Sequence, residues 1–314
     1  MASLNRAYTR VSMRRRYESW FLRFGLADNS GAWWLRYLLT SPGREGCRGV
    51  PGAAPVQVWA TWFPRDGQPE TFIQEFPVEA LRVNGKNGAF FLEAGPNRVE
   101  DDSCRGALDL RGHRLSWDLR YRSNFGLTLS HKGWIGFSRT PHSDAVFAGE
   151  IRLDDRVFRG DPLGVGVQGH NCGFRHRHFW TWAHVCFPQP DGRLSTFEAL
   201  VYEMPFGLVF RKAVLWHEGR SYVFRKLREN DRDRQDMRWA VQMASRAGSI
   251  EAEIDGGGAS LHRLPYVKTD CSGTFEVSNN SLARARLKVR LGNAAGEEEF
   301  VADGGAVLEM TGEY

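Results

Sequence analysis

Trp62-Phe-Pro-Arg-Asp-Gly-Gln-Pro-Glu-Thr-Phe72 and Cys186-Phe-Pro-Gln-Pro-Asp-Gly-Arg-Leu-Ser-Thr-Phe197 read alike. Each is the end of one apolar run, a turn rich in Pro, Asp and Gly, and the start of the next run, the pattern of a β-hairpin. A second echo pairs Asp102-Ser-Cys-Arg-Gly-Ala-Leu108 with Asp270-Cys-Ser-Gly-Thr-Phe275, and the two echoes fall in the same order in each half. Together they predict an internal duplication. The expected outcome is two β-domains of similar topology that part near residues 145 to 165, taken as 1–155 and 156–314.

Outward from these hairpins, most of the chain alternates rather than repeating at helical spacing. Val56 to Phe63, Ala89 to Glu93, Leu108 to Leu110 and Ser116 to Tyr121 are strand patterns. So are Gly149 to Leu153, Trp180 to Phe187, Thr196 to Tyr202, Lys212 to Trp216, Ser221 to Lys226, Trp239 to Ala244, Gly248 to Ile254 and Leu287 to Leu291. Turn signals separate them: Arg65-Asp66-Gly67, Asn84-Gly85, Pro190-Asp191-Gly192, Glu218-Gly219 and Asp255-Gly256-Gly257. Short strands at regular spacing predict a sandwich or a barrel, and closure into a barrel removes exposed edges and leaves an interior for an apolar ligand. Met13 to Phe24 and Leu227 to Arg234 are the best helix candidates. The predicted class is all-β, with few short helices.

Composition agrees. The 314 residues are 42% hydrophobic and 12% aromatic, with 34 Gly, which excludes disorder, collagen and coiled coil. Lys+Arg number 42 against 37 Asp+Glu, a net +5, mostly Arg and interspersed with acids, so nucleic acid is not an expected partner. The five cysteines, Cys47, Cys104, Cys172, Cys186 and Cys271, are widely spaced without a C-x-x-C pair. Neither a disulfide framework nor a zinc site is expected, and a reducing compartment fits. The basic N-terminus is followed by no apolar core, and the run from Ala32 to Leu39 is broken by Arg36 and too short to span a bilayer. These features predict a soluble cytoplasmic protein, with peripheral membrane contact and oligomeric state left open.

The chemistry is densest in Val167-Gln-Gly-His-Asn-Cys-Gly-Phe-Arg-His-Arg-His-Phe-Trp-Thr-Trp-Ala-His-Val-Cys-Phe187. Period two sets Trp180, Trp182 and His184 on one face and Phe179, Thr181, Ala183 and Val185 on the other, so the aromatic stripe can form a ligand wall. His170, His176, His178 and His184 could hold a metal if they converged, but Arg175 and Arg177 between them oppose a dication. No metal is therefore expected. Two carboxylates stand among apolar neighbours: Glu18, and Glu198 on a face with Leu200 and Tyr202. An apolar pocket raises a carboxyl pKa and keeps it protonated as a general acid requires, whereas an Arg nearby would turn it into a salt bridge. No G-x-S-x-G, H-E-x-x-H or P-loop occurs. Gly164-Val-Gly-Val-Gln-Gly169 spells G-x-G-x-x-G but leads into a β-pattern, not a helix.

Tyr17-Glu-Ser-Trp-Phe-Leu, Trp33-Trp-Leu-Arg-Tyr-Leu-Leu39, Gly169-His-Asn-Cys-Gly173 and Trp180-Thr-Trp-Ala-His184 resemble the lipocalin-like superfamily. This group holds carotenoid 1,2-hydratase (hydroxyneurosporene synthase), tocopherol cyclase, AttH-type proteins and Diels–Alderase-type cyclases. Cys172 stands where those relatives carry a Trp. The resemblance implies two tandem lipocalin-like β-barrels and a cofactor-independent hydro-lyase or cyclase of secondary metabolism. Its substrate would be a hydrophobic unsaturated molecule such as an isoprenoid, polyene or polyketide. Glu18 or Glu198 would then be the acid, with His170 or His184 as partner. Trp33, Trp180 and Trp182 would shape the substrate, with Arg36, Asn171 and Tyr202 among the residues that bind it. The alternative, from another class, is a non-catalytic carrier of a lipophilic ligand.

Overall fold

Alternating side chains need a covered face, and two antiparallel sheets supply it. A computed structural model describes residues 4–8, 16–41, 47, 53–84, 89–131, 136–174, 179–292 and 296–312. The first sheet comprises β1 (Arg16–Leu26), β2 (Gly31–Ser41), β3 (Val56–Pro64), β4 (Glu70–Phe76), β5 (Leu81–Asn84) and β6 (Phe91–Ala94). It continues through β7 (Asn97–Glu100), β8 (Ser103–Leu110), β9 (His113–Arg122), β10 (Leu127–His131), β11 (Gly136–Leu153) and β12 (Arg156–Gly173). The second comprises β13 (Trp180–Pro188), β14 (Leu194–Glu203), β15 (Val209–His217), β16 (Arg220–Phe224) and β17 (Lys226–Asp233). Its remaining strands are β18 (Arg238–Ser245), β19 (Gly248–Asp255), β20 (His262–Val267), β21 (Thr274–Leu291) and β22 (Glu298–Thr311). The helical segments among the described residues are two 3-10 turns, Val78–Ala80 and Pro205–Gly207.

Strand order runs β4-β3-β2-β1-β12-β11-β9-β8-β7-β6-β5 in the first sheet and β16-β15-β14-β13-β22-β21-β19-β18-β17 in the second. In each sheet the first strand pairs with the last, and one short strand (β10 or β20) pairs off the path with the strand before the last. The duplication is therefore real at the level of topology: two tandem lipocalin-like β-barrels. The echoes that suggested it are not equivalent, however. The first matches the β3–β4 hairpin to β13–β14, although β3–β4 occupies the place of β15–β16. Similar turns recur wherever two-stranded corners are needed, so turn chemistry repeats without marking equivalent positions.

Three apolar clusters hold this together. One fills the first barrel around Trp20, Leu22, Trp33, Leu35 and Phe147, and one fills the second around Phe197, Trp239, Ile254 and Leu287. The third is made from the outward faces of both, with Phe21, Trp34 and Trp59 meeting Trp182, Leu200, Tyr202 and Tyr266. Strands β1, β2, β13 and β14 consequently lie between two apolar layers. That explains why Met13 to Phe24 stands out as a helix candidate in the sequence. Residues 16–26 are β1, and covering both faces erased its polar alternation. Residues 13–15 lie outside the described residues. Leu227 to Asp233 likewise lie in strand β17, whose alternation is interrupted by a bulge between Glu229 and Asp231, and Arg234 is in the turn that follows.

Two other expectations change. Residue 155 sits at the turn of the β11–β12 hairpin inside the first sheet, and the sheets exchange between Gly173 and Trp180. Cys47, in the β2–β3 connection, is disulfide-bonded to Cys271, in the β20–β21 turn, with Cα atoms 5.3 Å apart. The separation of 224 residues hid the pair, and such a bond persists in an oxidising compartment rather than a reducing one. No helix among the described residues is long and apolar enough to cross a membrane.

Burial keeps two of the three remaining thiols out of chemistry: Cys104 is pushed up to about 12, and Cys186 higher still, by loss of solvation. Peptide mapping without reductant should recover Cys47 and Cys271 in one cross-linked pair. Iodoacetamide should leave Cys104 and Cys186 unmodified until denaturant is added, and rapid labelling of either in the native protein would contradict the packing described.

Candidate active site

Period two divides β1 cleanly. Trp20, Leu22, Phe24 and Leu26 enter the first core, while Tyr17, Ser19, Phe21 and Arg23 face the second barrel. On β2 the outward residues are Trp34 and Arg36; on β13 and β14 they are Trp180, Trp182, Leu200 and Tyr202. These side chains, with Phe137, Asn171, Tyr266 and Glu309, bound a cavity of about 1000 Å³ including its open mouth. It lies between the barrels, not inside either. Gly169 on β12 is required here, because a Cβ would strike the ring of Phe21 stacked on it. Close approach, rather than phosphate binding, accounts for the glycines of the G-x-G-x-x-G stretch, which is strand throughout.

The cavity is aromatic with a charged floor. Arg23, 2% exposed, donates from Nη2 to Glu309 Oε2 at 2.6 Å across the seam. Its guanidinium lies 4.2 Å from the Trp34 ring centre and 5.2 Å from that of Trp182. Glu309 also accepts from Trp180 Nε1 and Asn279 Nδ2, each at 2.9 Å. Arg36 donates through Nε to Ser19 Oγ at 2.9 Å and lies over Tyr266 at 4.6 Å. Tyr202 and Ser130 share a hydroxyl hydrogen bond of 2.7 Å.

Of the expected site residues, Arg36, Asn171, Trp180, Trp182 and Tyr202 line this cavity. Trp33 does not. It is packed in the first core against Trp62 and Phe158, and its neighbour Trp34 takes the cavity face, because one step along a strand reverses the face. Glu18 and His170 meet each other, Nε2 to Oε1 at 2.7 Å, but on the barrel side of β1 and β12. There the segment 4–8 covers them. Tyr8 N–H donates to both Glu18 oxygens, His170 Nδ1 bonds the Leu4 carbonyl at 2.8 Å, and Trp20 stacks on the imidazole.

Glu198 and His184 lie beneath the cavity wall. Glu198 Oε1 accepts from Trp182 Nε1 at 2.9 Å and from Thr140 Oγ1 at 2.8 Å, while Oε2 is buried without a partner. Burial raises its pKa to about 7, against the pull of the Trp182 and Thr140 donors. His184, pulled down to about 4 by burial, is a neutral ring that donates from Nε2 to the Ser143 carbonyl at 2.8 Å. His176 and His178 lie outside the described residues, and no cluster of metal-ligating groups occurs among those described.

Arg23, Trp34, Tyr266 and Glu309 were missed by the reading of the sequence. A signal existed for two of them: Arg23 and Glu309 are lone charges within apolar runs, Trp20-Phe-Leu-Arg-Phe24 and Ala306-Val-Leu-Glu-Met310.

Two antiparallel β-barrels in tandem, with a ligand-sized cavity at their seam, define the class. No family model and no curated protein matches the sequence. Solved structures do match the fold. CghA with Sch210972 superposes with a TM-score of 0.67 at 10% identity, covering 95% of this chain and 88% of that one. Kievitone hydratase from Nectria haematococca gives 0.56 at 11%, covering 96% and 90%. A putative AttH from Nitrosomonas europaea gives 0.53 at 10%, covering 95% and 93%. The chain therefore has the fold that the sequence resemblance implied.

Trp182→Ala should weaken binding of an apolar fluorescent dye, whereas Trp33→Ala should leave the dye affinity of the folded protein unchanged and cost about 3–5 kcal/mol of stability in urea unfolding. Equal dye binding by Trp182→Ala would remove that ring from the ligand wall. The buried pair beneath it sets opposite pH dependences. Folded Glu198 keeps its proton to about 7 against 4.5 unfolded, so it lowers stability as pH rises through that window. His184 releases its proton at about 4 when folded against 6.5 unfolded, so it adds stability as pH rises from 4 to 6.5. Glu198→Gln should therefore gain on the wild type by on the order of 3 kcal/mol between pH 4.5 and 7, read from urea midpoints. A constant gap across that range would refute the assignment.

Proposed function

We propose that this protein is a cofactor-independent cyclase that folds an apolar, unsaturated small molecule in the cavity between its barrels. One observation carries the reading: among the described residues, the cavity walls are aromatic and the one lining carboxylate, Glu309, is held by Arg23, Trp180 and Asn279. Hydration of an alkene needs a proton donor at the reacting carbon. Neither Glu198 nor Glu18 is among the lining residues, the first lying beside Trp182 on the outward face of β14 and the second within the first barrel. Cyclisation needs less. Holding two reacting ends in contact in a water-poor site lowers the barrier by several kcal/mol without proton transfer. The π-faces of Trp34, Trp180 and Trp182 would favour any positive charge that develops. Glu198 then acts through Trp182, accepting its indole N–H and fixing the ring plane, as a positioning residue.

The hydratase and CghA folds are consistent with this reading, which rests on the cavity itself. Phe206, 99% exposed, and Leu208 lie on the β14–β15 connection, and nearby Phe210 stacks on Tyr202 of the wall. This apolar point beside the cavity suits contact with a membrane that supplies such a substrate.

The test is incubation with linear polyenes that carry an activated alkene at one end, followed by chromatography and mass spectrometry. A cyclase yields an isomer of unchanged mass, formed more than tenfold slower by Trp182→Ala. A product heavier by one water would replace cyclisation with hydration. Tight binding with neither product would make the protein a carrier.

A further inference from the structure

The charged floor of the cavity is unbalanced. Two guanidiniums line it, Arg23 and Arg36, 2% and 5% exposed, against the single carboxylate of Glu309. Glu309 occupies Nη2 of Arg23 alone. The Nε and Nη1 of Arg23 have no hydrogen-bond partner, and neither has Nη1 of Arg36, whose Nε is taken by Ser19. Arg36 has no acidic partner among the described ion pairs. Burial and the nearness of Arg36 both pull the Arg23 pKa down, and Glu309 opposes them. The two cations are close enough to repel, and aromatic faces hold them in place: Arg23 over Trp34, Arg36 over Trp59 at 5.0 Å and Tyr266 at 4.6 Å.

Taking a guanidinium out of water without an acceptor is unfavourable, and a cavity that keeps one in this state is built for a ligand that supplies the acceptor. The donors are planar and doubled, which suits a planar group with two oxygens. We infer that the cavity takes an unsaturated chain ending in a carboxylate, drawn to the Arg36 guanidinium that lines the floor with no acidic partner among the described ion pairs, with its apolar length along Phe21, Trp34, Trp182 and Leu200. This inference rests on the cavity being the substrate site proposed above and names the class of substrate. It also assigns Arg36 as the residue that fixes which end of the chain enters first, because Arg23 is already tied to Glu309.

The probes are cis-parinaric acid, a conjugated tetraene carboxylate whose fluorescence rises on leaving water, and its uncharged methyl ester, titrated against the full chain at neutral pH. The acid should bind roughly tenfold or more tighter than the ester, as expected for a charge-assisted hydrogen bond. Arg36→Met should bring the acid down to the affinity of the ester measured on the same variant, and Arg36→Lys should restore part of the preference. Equal binding of acid and ester by the wild type would overturn the inference, as would a preference that survives in a folded Arg36→Met. Should Arg36→Met not fold, the wild-type ratio still decides, together with its decline in rising salt. Ester binding without acid preference leaves the cavity assignment standing and removes this one. Binding of neither probe removes both.

Discussion

The bond between Arg23 and Glu309 joins the two barrels at a point where both side chains are largely buried. Arg23 sits on β1, the first strand of the first sheet, paired with β12, and Glu309 on β22, the last strand of the second, paired with β13. Removing either partner would strand a buried charge, so the pair fixes how the sheets face each other. Other features of the seam follow from that placement. Glu309 orients Trp180 and Asn279, Arg23 lies on Trp34, and the cavity is the space these groups leave. Further polar contacts run alongside, Thr140 to Glu198, Ser143 to His184, Lys212 to Thr128 and Thr71 to His262, each linking one barrel to the other.

Such a seam decides what a sequence can disclose. Strands with one wet face, such as β9 and β18, alternate openly and were readable from Ser116 to Tyr121 and from Trp239 to Ala244. Where both faces are covered the alternation vanishes, so β1 reads as a helix although its residue types allow a strand. That Trp180 and Trp182 share one face of β13, and Glu198, Leu200 and Tyr202 one face of β14, was legible from local period two; that these faces point out of their barrel rather than into it was not. Nor was the barrel surface that these faces meet, since Arg23 and Glu309 are 286 residues apart. The same limit separates Trp33 from Trp34: adjacent tryptophans are equivalent in composition, and only the register of β2 on β1 sends one to the core and one to the cavity.

The acid candidates show how burial alone misleads. Glu18, Glu198 and Glu309 all stand in apolar surroundings, yet they do different work. Glu18 receives two backbone contacts from Tyr8 and the imidazole of His170, binding the segment 4–8 to the first barrel. Glu198 keeps one oxygen unpartnered and its pKa high, with Trp182 between it and the cavity. Glu309 alone touches the site, and there it balances a cation. The chain does not say which neighbours a buried carboxyl will meet, and the neighbours decide its chemistry.

The division of labour among the three clusters bears on how such proteins diversify. Two apolar interiors, built around residues such as Trp20 and Trp239, hold the barrels together, and neither lines the cavity. The cavity lies in a layer outside both. Substitutions at positions such as Phe21, Trp34, Leu200 or Tyr266 can reshape the chamber while each barrel keeps its own core. A chamber built outside the cores can thus change its shape and polarity without a matching loss of scaffold stability.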